Sequence, residues 1–136
     1  MKLDVKLIGY VNTFEKYTRV NAKDCFFDKD KVLVFVVNSL GLGKAVGKQG
    51  VNARNLSLKL KQRVRIIGFS EDPCGFVKNL LYPLKGFEVV KEEGKILIKT
   101  EDRSLKGKVY GRDRTNLKNM NEIFRRYFRD MEIVVE

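Results

Sequence analysis
Gly43-Lys44-Ala45-Val46-Gly47-Lys48-Gln49-Gly50-Val51-Asn52 is the stretch that decides the fold. An apolar run, Val32-Leu33-Val34-Phe35-Val36-Val37, precedes it, and a segment of helix length follows. A glycine-rich loop in that setting invites comparison with the nucleotide-phosphate loops, and the spacing decides. The pattern GxxxxGK[ST] needs a glycine where Leu42 stands and a Ser or Thr where Gln49 stands. The dinucleotide pattern GxGxxG fails as well, because three residues separate Gly43 from Gly47. What remains is Gly47-Lys48-Gln49-Gly50, a tight turn between two helical segments. Its glycines let the backbone turn sharply and let another chain approach without meeting a Cβ. Amides at the start of the following helix face outward toward anions, aided by the helix dipole, and Lys48 adds charge.

Working outward, Val5, Ile8, Val11 and Tyr17 recur near helical spacing and predict a helix over 5–17. Asp24-Cys25-Phe26-Phe27 and Val32–Val37 read as strands joined by a turn at Asp28-Lys29-Asp30-Lys31. Residues 51–63 are ambiguous, since Leu56-Ser57-Leu58-Lys59-Leu60-Lys61 alternates like a strand.

The second half of the chain resolves the ambiguity, because it repeats the first at an offset of 64 residues. Lys31-Val32-Leu33-Val34 aligns with Lys95-Ile96-Leu97-Ile98, Gly43-Lys44 with Gly107-Lys108, Gly47 with Gly111, Asn52 with Asn116 and Asn55 with Asn119. In the second copy Leu117, Met120, Ile123, Phe124, Tyr127 and Phe128 keep helical spacing, so 51–63 is read as a helix too. Arg65–Phe69 and Glu132–Val135 close the units as strands. The second unit opens with Asp72 as a helix cap and Pro73 at the first helical position, and that helix ends before Pro83. Phe87–Val90 and Lys95–Thr100 form its hairpin, turning at Glu92-Glu93-Gly94. Each unit is small enough to be marginal alone, so the two are expected to pack together.

Charge follows the repeat. The chain carries 28 Lys+Arg against 17 Asp+Glu, net +11. Residues 31–70 hold eight basic groups and no acidic one, and residues 103–129 hold nine basic groups against two acidic. Solubility does not require such exclusion of acids, and a polyanion such as nucleic acid is the implied partner. With 43% hydrophobic residues the chain is not a disordered one. It has no histidine, which removes the commonest general base and metal ligand. Cys25 and Cys74 are too few for a zinc site and read as reduced thiols. No apolar run approaches a membrane span, and Met1-Lys2-Leu3-Asp4-Val5-Lys6 lacks a signal-peptide pattern, so a cytoplasmic protein without metal, cofactor, small-molecule substrate or membrane partner is expected.

Gly47-Lys48-Gln49-Gly50, set within two strands, a short helix, a long helix and an acid-free block, resembles the GxxG loop of KH domains. The helix ahead of the strands resembles the type II KH topology. The resemblance implies an α+β fold of two tandem type II KH domains, 1–70 and 71–136, each a three-stranded sheet covered on one face by three helices. Two such domains and almost nothing else, over about residues 3 to 136, resemble the archaeal NusA family. That family implies a transcription termination or antitermination factor that binds single-stranded RNA and works with RNA polymerase, without the N-terminal and S1 domains of bacterial NusA. It is not an enzyme. The RNA-binding residues this implies in the first domain are Gly43, Lys44, Gly47, Lys48, Gln49, Gly50, Val51, Asn52 and Arg54, beside an apolar groove drawn from Ala45, Val46, Val51 and Leu56 that holds about four unstacked bases.

The second domain departs from the pattern. Its loop is Gly111-Arg112-Asp113-Arg114, with an arginine at the second glycine position and a repelling Asp113. Either Arg112, Arg114 and Lys118 grip phosphate through side chains in a weakened site, or the domain is a structural partner. Phe26, Phe27, Phe35, Phe124 and Phe128 are read as core, Arg63 and Arg65 as strand flanks, and Tyr110 stays open. Two other uses of the same surface stay open as well: a ribosomal or ribosome-assembly component reading structured RNA, and an adaptor docking on polymerase.

Overall fold
The computed structural model describes residues 4–136; Met1-Lys2-Leu3, where the sequence shows no signal-peptide pattern, lies outside the described residues. The chain divides into two compact units, Met1–Phe69 and Ser70–Glu136.

In the first unit, helix α1 (Val5–Thr18) starts at Asp4, whose carboxylate accepts the Leu7 N–H at 2.8 Å, and ends where Arg19 turns left-handed. Strands β1 (Asp24–Phe27) and β2 (Leu33–Asn38) pair antiparallel. Asp28 shapes their turn by accepting the N–H groups of Asp30 and Val32. A 3-10 turn (Ser39–Gly41), helix α2 (Leu42–Val46), a second 3-10 turn (Lys48–Gly50) and helix α3 (Val51–Leu60) cross over to strand β3 (Val64–Phe69). Strand β3 pairs parallel with β2, so the sheet order is β1-β2-β3. Leu33, Phe35 and Val37 alternate onto one face of β2, where they pack with Val11 and Phe14 of α1, Cys25, Ala45 of α2 and Leu56 of α3. Phe14 stacks on Phe35 at 4.3 Å. Each fully buried side chain of this size stabilises the unit by about 1.5–3 kcal/mol relative to exposure.

The second unit repeats the order: α4 (Pro73–Leu81), β4 (Glu88–Glu92), β5 (Lys95–Lys99), α5 (Arg103–Tyr110), a 3-10 turn (Arg112–Arg114), α6 (Thr115–Arg125) and β6 (Glu132–Val135). Its sheet runs β4-β5-β6, antiparallel and then parallel. Phe76, Ile96, Ile98, Val109, Ile123, Phe124 and Ile133 form the buried interior. The architecture is therefore α+β, with two three-stranded sheets each covered on one face by three helices, as the two-KH-domain resemblance implies.

Boundaries differ from expectation in places, for local reasons. Helix α3 stops at Leu60 and not 63, because Lys61 adopts a left-handed conformation and its N–H bonds the Ser57 carbonyl. Helix α6 stops at Arg125, although Tyr127 and Phe128 continue its spacing; both still donate their N–H to the Phe124 carbonyl. Strand β4 runs on to Glu92, so the turn is Glu93-Gly94 alone, with Gly94 at φ 75. Of the phenylalanines expected in the core, Phe35 and Phe124 are fully buried and Phe26 and Phe128 half-buried. Phe27, at the end of β1 beside the turn, is 38% exposed and meets Tyr10 edge-on.

One equivalence escapes the sequence. The Ser57 hydroxyl on α3 accepts the Val64 N–H at the start of β3. Asn121, 64 residues on, both donates to the Ile133 carbonyl and accepts its N–H, fixing β6 to α6. Cys25 and Cys74 are not joined in a disulfide. Among the described residues, no helix is long and apolar enough to cross a membrane.

Candidate nucleic-acid interface
Gly43, Lys44, Gly47, Lys48, Gln49, Gly50, Val51, Asn52 and Arg54 run from α2 through the 3-10 turn into the first turn of α3. Gly47 ends α2, its N–H bonded to the Gly43 carbonyl at 3.0 Å. Its φ of 77 and ψ of 172 lie in a region that is essentially glycine's alone. Gln49 (φ 55, ψ 29) and Gly50 (φ 75, ψ 17) then turn left-handed before α3 begins. The Asn52 side-chain amide reaches back to donate to the Lys44 carbonyl at 3.2 Å, tying α3 to α2 across the loop. A Cβ on Gly47 would stand 2.9 Å from the Asn52 amide carbon, so glycine is fixed there by sterics as well as by backbone angle. Gly50 is different, since a Cβ there would meet only the Arg54 guanidinium at 3.6 Å.

These contacts redistribute the expected roles. Asn52 and Arg54 both hold the loop: Arg54 Nη1 donates to the Gln49 carbonyl at 2.6 Å. Ala45 and Leu56 cannot line a base groove, because both are 0% exposed and belong to the core, turned by helical periodicity toward the sheet. Val51, 38% exposed, is the apolar surface that remains beside the loop, with half-buried Val46 behind it.

The electrostatics are strongly positive. Lys31, Lys44, Lys48, Arg54, Lys59 and Lys61 are exposed. The other two cations of the acid-free block lie beside the β1–β2 turn, where Lys31 also stands. Arg63 donates to the Asp30 carbonyl. Burial pushes the Arg65 pKa down, against the opposing pull of Asp28. Capping adds to the asymmetry. Asp4, Asp72 and Asp102 cap α1, α4 and α5 with their carboxylates, whereas no side chain caps α3 or α6. The two helices that follow the loops start without a side-chain cap; the Val51 and Thr115 N–H groups bond the Lys48 and Arg112 carbonyls of the 3-10 turns, and the helix ends beyond them suit an anion.

The second loop has the same backbone. Gly111 (φ 68, ψ 176), Asp113 (φ 54, ψ 30) and Arg114 (φ 62, ψ 20) reproduce Gly47, Gln49 and Gly50. Asn116 donates to the Lys108 carbonyl at 3.0 Å, as Asn52 does to Lys44. Arg112, Arg114 and Lys118 are exposed, and the Arg114 guanidinium lies over the Tyr110 ring at 5.2 Å. Thr115 adds a bond of its own, donating its hydroxyl to the Arg112 carbonyl.

Comparison with known proteins gives a consistent picture. No protein-family model matches the chain. A Methanococcus vannielii protein described as "Probable transcription termination protein NusA" is 36% identical over 99 residues, 72% of this chain and 57% of that protein. The chain thus spans little more than half the length of that relative. Proteins of the same description from Methanocaldococcus jannaschii and Halobacterium salinarum are each 30% identical, the matches covering 99% and 87% of this chain and 75% and 86% of theirs. The crystal structure of APE1850 superposes with a TM-score of 0.75 at 24% identity, covering 98% of this chain and all of that one; it speaks to the fold.

Proposed function
The chain belongs to the archaeal NusA family of probable transcription termination proteins, and on that footing we propose that it is a transcription factor whose first unit grips single-stranded RNA. The observation that carries this reading is the first loop. Gly47 and Gly50 bare the backbone at an uncapped helix start, and the surrounding forty residues present lysine and arginine without one acidic group. An unpaired strand can lay its phosphates along Lys44, Lys48 and the positive end of α3, with Arg54 and Asn52 keeping the turn in shape. Val51 offers a small apolar contact to a sugar or base. The second unit offers contacts of its own through Arg112, Arg114 and Lys118 around Gly111. The setting in transcription is supported by the description its relatives carry, and RNA polymerase is the partner proposed for it. No catalytic step, metal or cofactor enters this reading.

Fluorescence anisotropy with a labelled single-stranded RNA of about 12 nucleotides, against duplex RNA and duplex DNA across a salt series, tests it. The single strand should bind best, with log affinity falling by about 0.7 per phosphate contact for each decade of salt. Lys48→Asp with Gln49→Asp should abolish that binding while leaving the thermal unfolding profile in place. Equal binding of all three nucleic acids would mean that net charge alone is acting, and unimpaired affinity in the double variant would remove the first loop from the mechanism.

A further inference from the structure
Two positions change together between the copies: Val46 is matched by Tyr110, and Gly50 by Arg114. The backbone demands neither change, since the first loop reaches the same conformation without them. It resists one of them, because the left-handed region that Arg114 occupies favours glycine. What the pair creates is a cation–π contact. The guanidinium carbon of Arg114 lies 5.2 Å from the centre of the Tyr110 ring, within the range of a cation–π contact. Tyr110 is half-buried at the end of α5 and Arg114 exposed at the start of α6, so the ring holds a planar cation at the loop surface. Lys108, Arg112 and Lys118 lie exposed around it in the chain, with Asp113 the one acidic residue in the loop.

An exposed guanidinium held over a ring still presents its plane to a flat partner and its N–H edge to phosphate. Unpaired bases stack on such planes. We propose that Arg114, held on Tyr110, is a base-stacking platform of the second unit for an unpaired nucleobase of single-stranded RNA; this rests on the RNA-binding reading above. The two loops then do different chemistry on RNA. The first meets the sugar-phosphate chain through bare backbone, and the second takes a base through a side-chain plate. Stacking tolerates any base and favours the larger face of a purine.

The full chain is tested by anisotropy against a labelled 12-nucleotide oligoadenylate and against an abasic strand of the same length. Arg114→Lys keeps the charge and loses the plane. It should weaken oligoadenylate binding about five- to tenfold, leave the salt slope unchanged, and leave binding to the abasic strand as in the unaltered chain. Arg114→Gly restores the residue of the first loop and relieves the backbone, so a similar loss in a chain that melts no lower cannot be ascribed to unfolding. Oligoadenylate binding untouched by Arg114→Lys overturns the proposal, and so does an equal loss on the abasic strand, which would make Arg114 a phosphate contact. Failure of the unaltered chain to bind either strand overturns this proposal and the RNA-binding reading together. If the Lys48→Asp and Gln49→Asp variant still binds, only the first loop's role falls, and Arg114→Lys decides the platform.

Discussion

At the first loop Gly47, Gln49 and Gly50 carry φ/ψ of 77/172, 55/29 and 75/17; at the second Gly111, Asp113 and Arg114 carry 68/176, 54/30 and 62/20. One backbone shape is thus held by two different sets of side chains. The pair separates two roles that a GxxG pattern merges. Its first glycine is imposed from within, by an extended positive-φ backbone and by the asparagine amide folded over it in both copies. Its second is imposed less, because a Cβ there would meet only the Arg54 guanidinium at an ordinary 3.6 Å and an arginine takes nearly the same angles in the other copy. Bare backbone at position 50 is therefore a matter of what approaches from outside.

The sharpest way to break this comparison is at the first glycine. Gly47→Ala and Gly111→Ala should each cost about 2–3 kcal/mol, from the disallowed angle and the displaced asparagine, read as a lowered urea midpoint. A stability within about 0.5 kcal/mol of the unaltered chain would undo the distinction, being no more than an ordinary surface change. Adding Asn52→Ala to Gly47→Ala should then cost less than the sum of the two, since the clash partner is gone.

Gly50→Arg transplants the second loop's residue into the first and should cost only about 1 kcal/mol of stability. Combining it with Val46→Tyr should recover about 0.5 kcal/mol as the cation finds its ring. A collapse of the fold in Gly50→Arg would show that the second glycine is structural after all.

Asn52→Ala and Asn116→Ala each remove one exposed hydrogen bond and should lower stability by about 0.5–1 kcal/mol, equally in the two units. A strongly unequal result would mean that the clamps are not equivalent. Smallest of all, Arg114→Gly should change stability by only a few tenths of a kcal/mol, since relief of the left-handed backbone offsets the lost cation–π contact and the added chain entropy. A large loss there would make the arginine a structural residue.

The repeat is what made the fold legible. Leu56–Lys61 alternates like a strand, and only the helical spacing of Leu117 to Phe128 assigns α3. The same repeat misdirects the reading of Asn52. Its match to Asn116 marks a shared task, and that task is a bond to a carbonyl eight residues back, which spacing alone does not reveal. Apolar residues around the loop do not announce which way they face either; Ala45 and Leu56 turn inward and only Val51 stays at the surface. The left-handed Gln49, Asp113 and Arg114 carry no glycine to flag them. The ring partner of Arg114 became visible only with distances, because residues i and i+4 straddling a helix end and a turn are not neighbours by any regular period.

Strand β2 sits between β1 and β3, and five of its residues in a row are sealed from water. Its two partners differ in chain distance. Phe27 pairs Leu33 across a short turn, whereas Leu33 pairs Val64 only after α2, the loop and α3 have been traversed. Hairpin closure is fast and the long parallel closure slow. In time, then, β1 and β2 should zip first, and the crossover that carries Gly47–Gly50 should acquire its shape when β3 docks. Amide hydrogen exchange should show the same hierarchy in reverse: β2 protons last to leave, β3 and the loop opening together as one unit, earlier and more often.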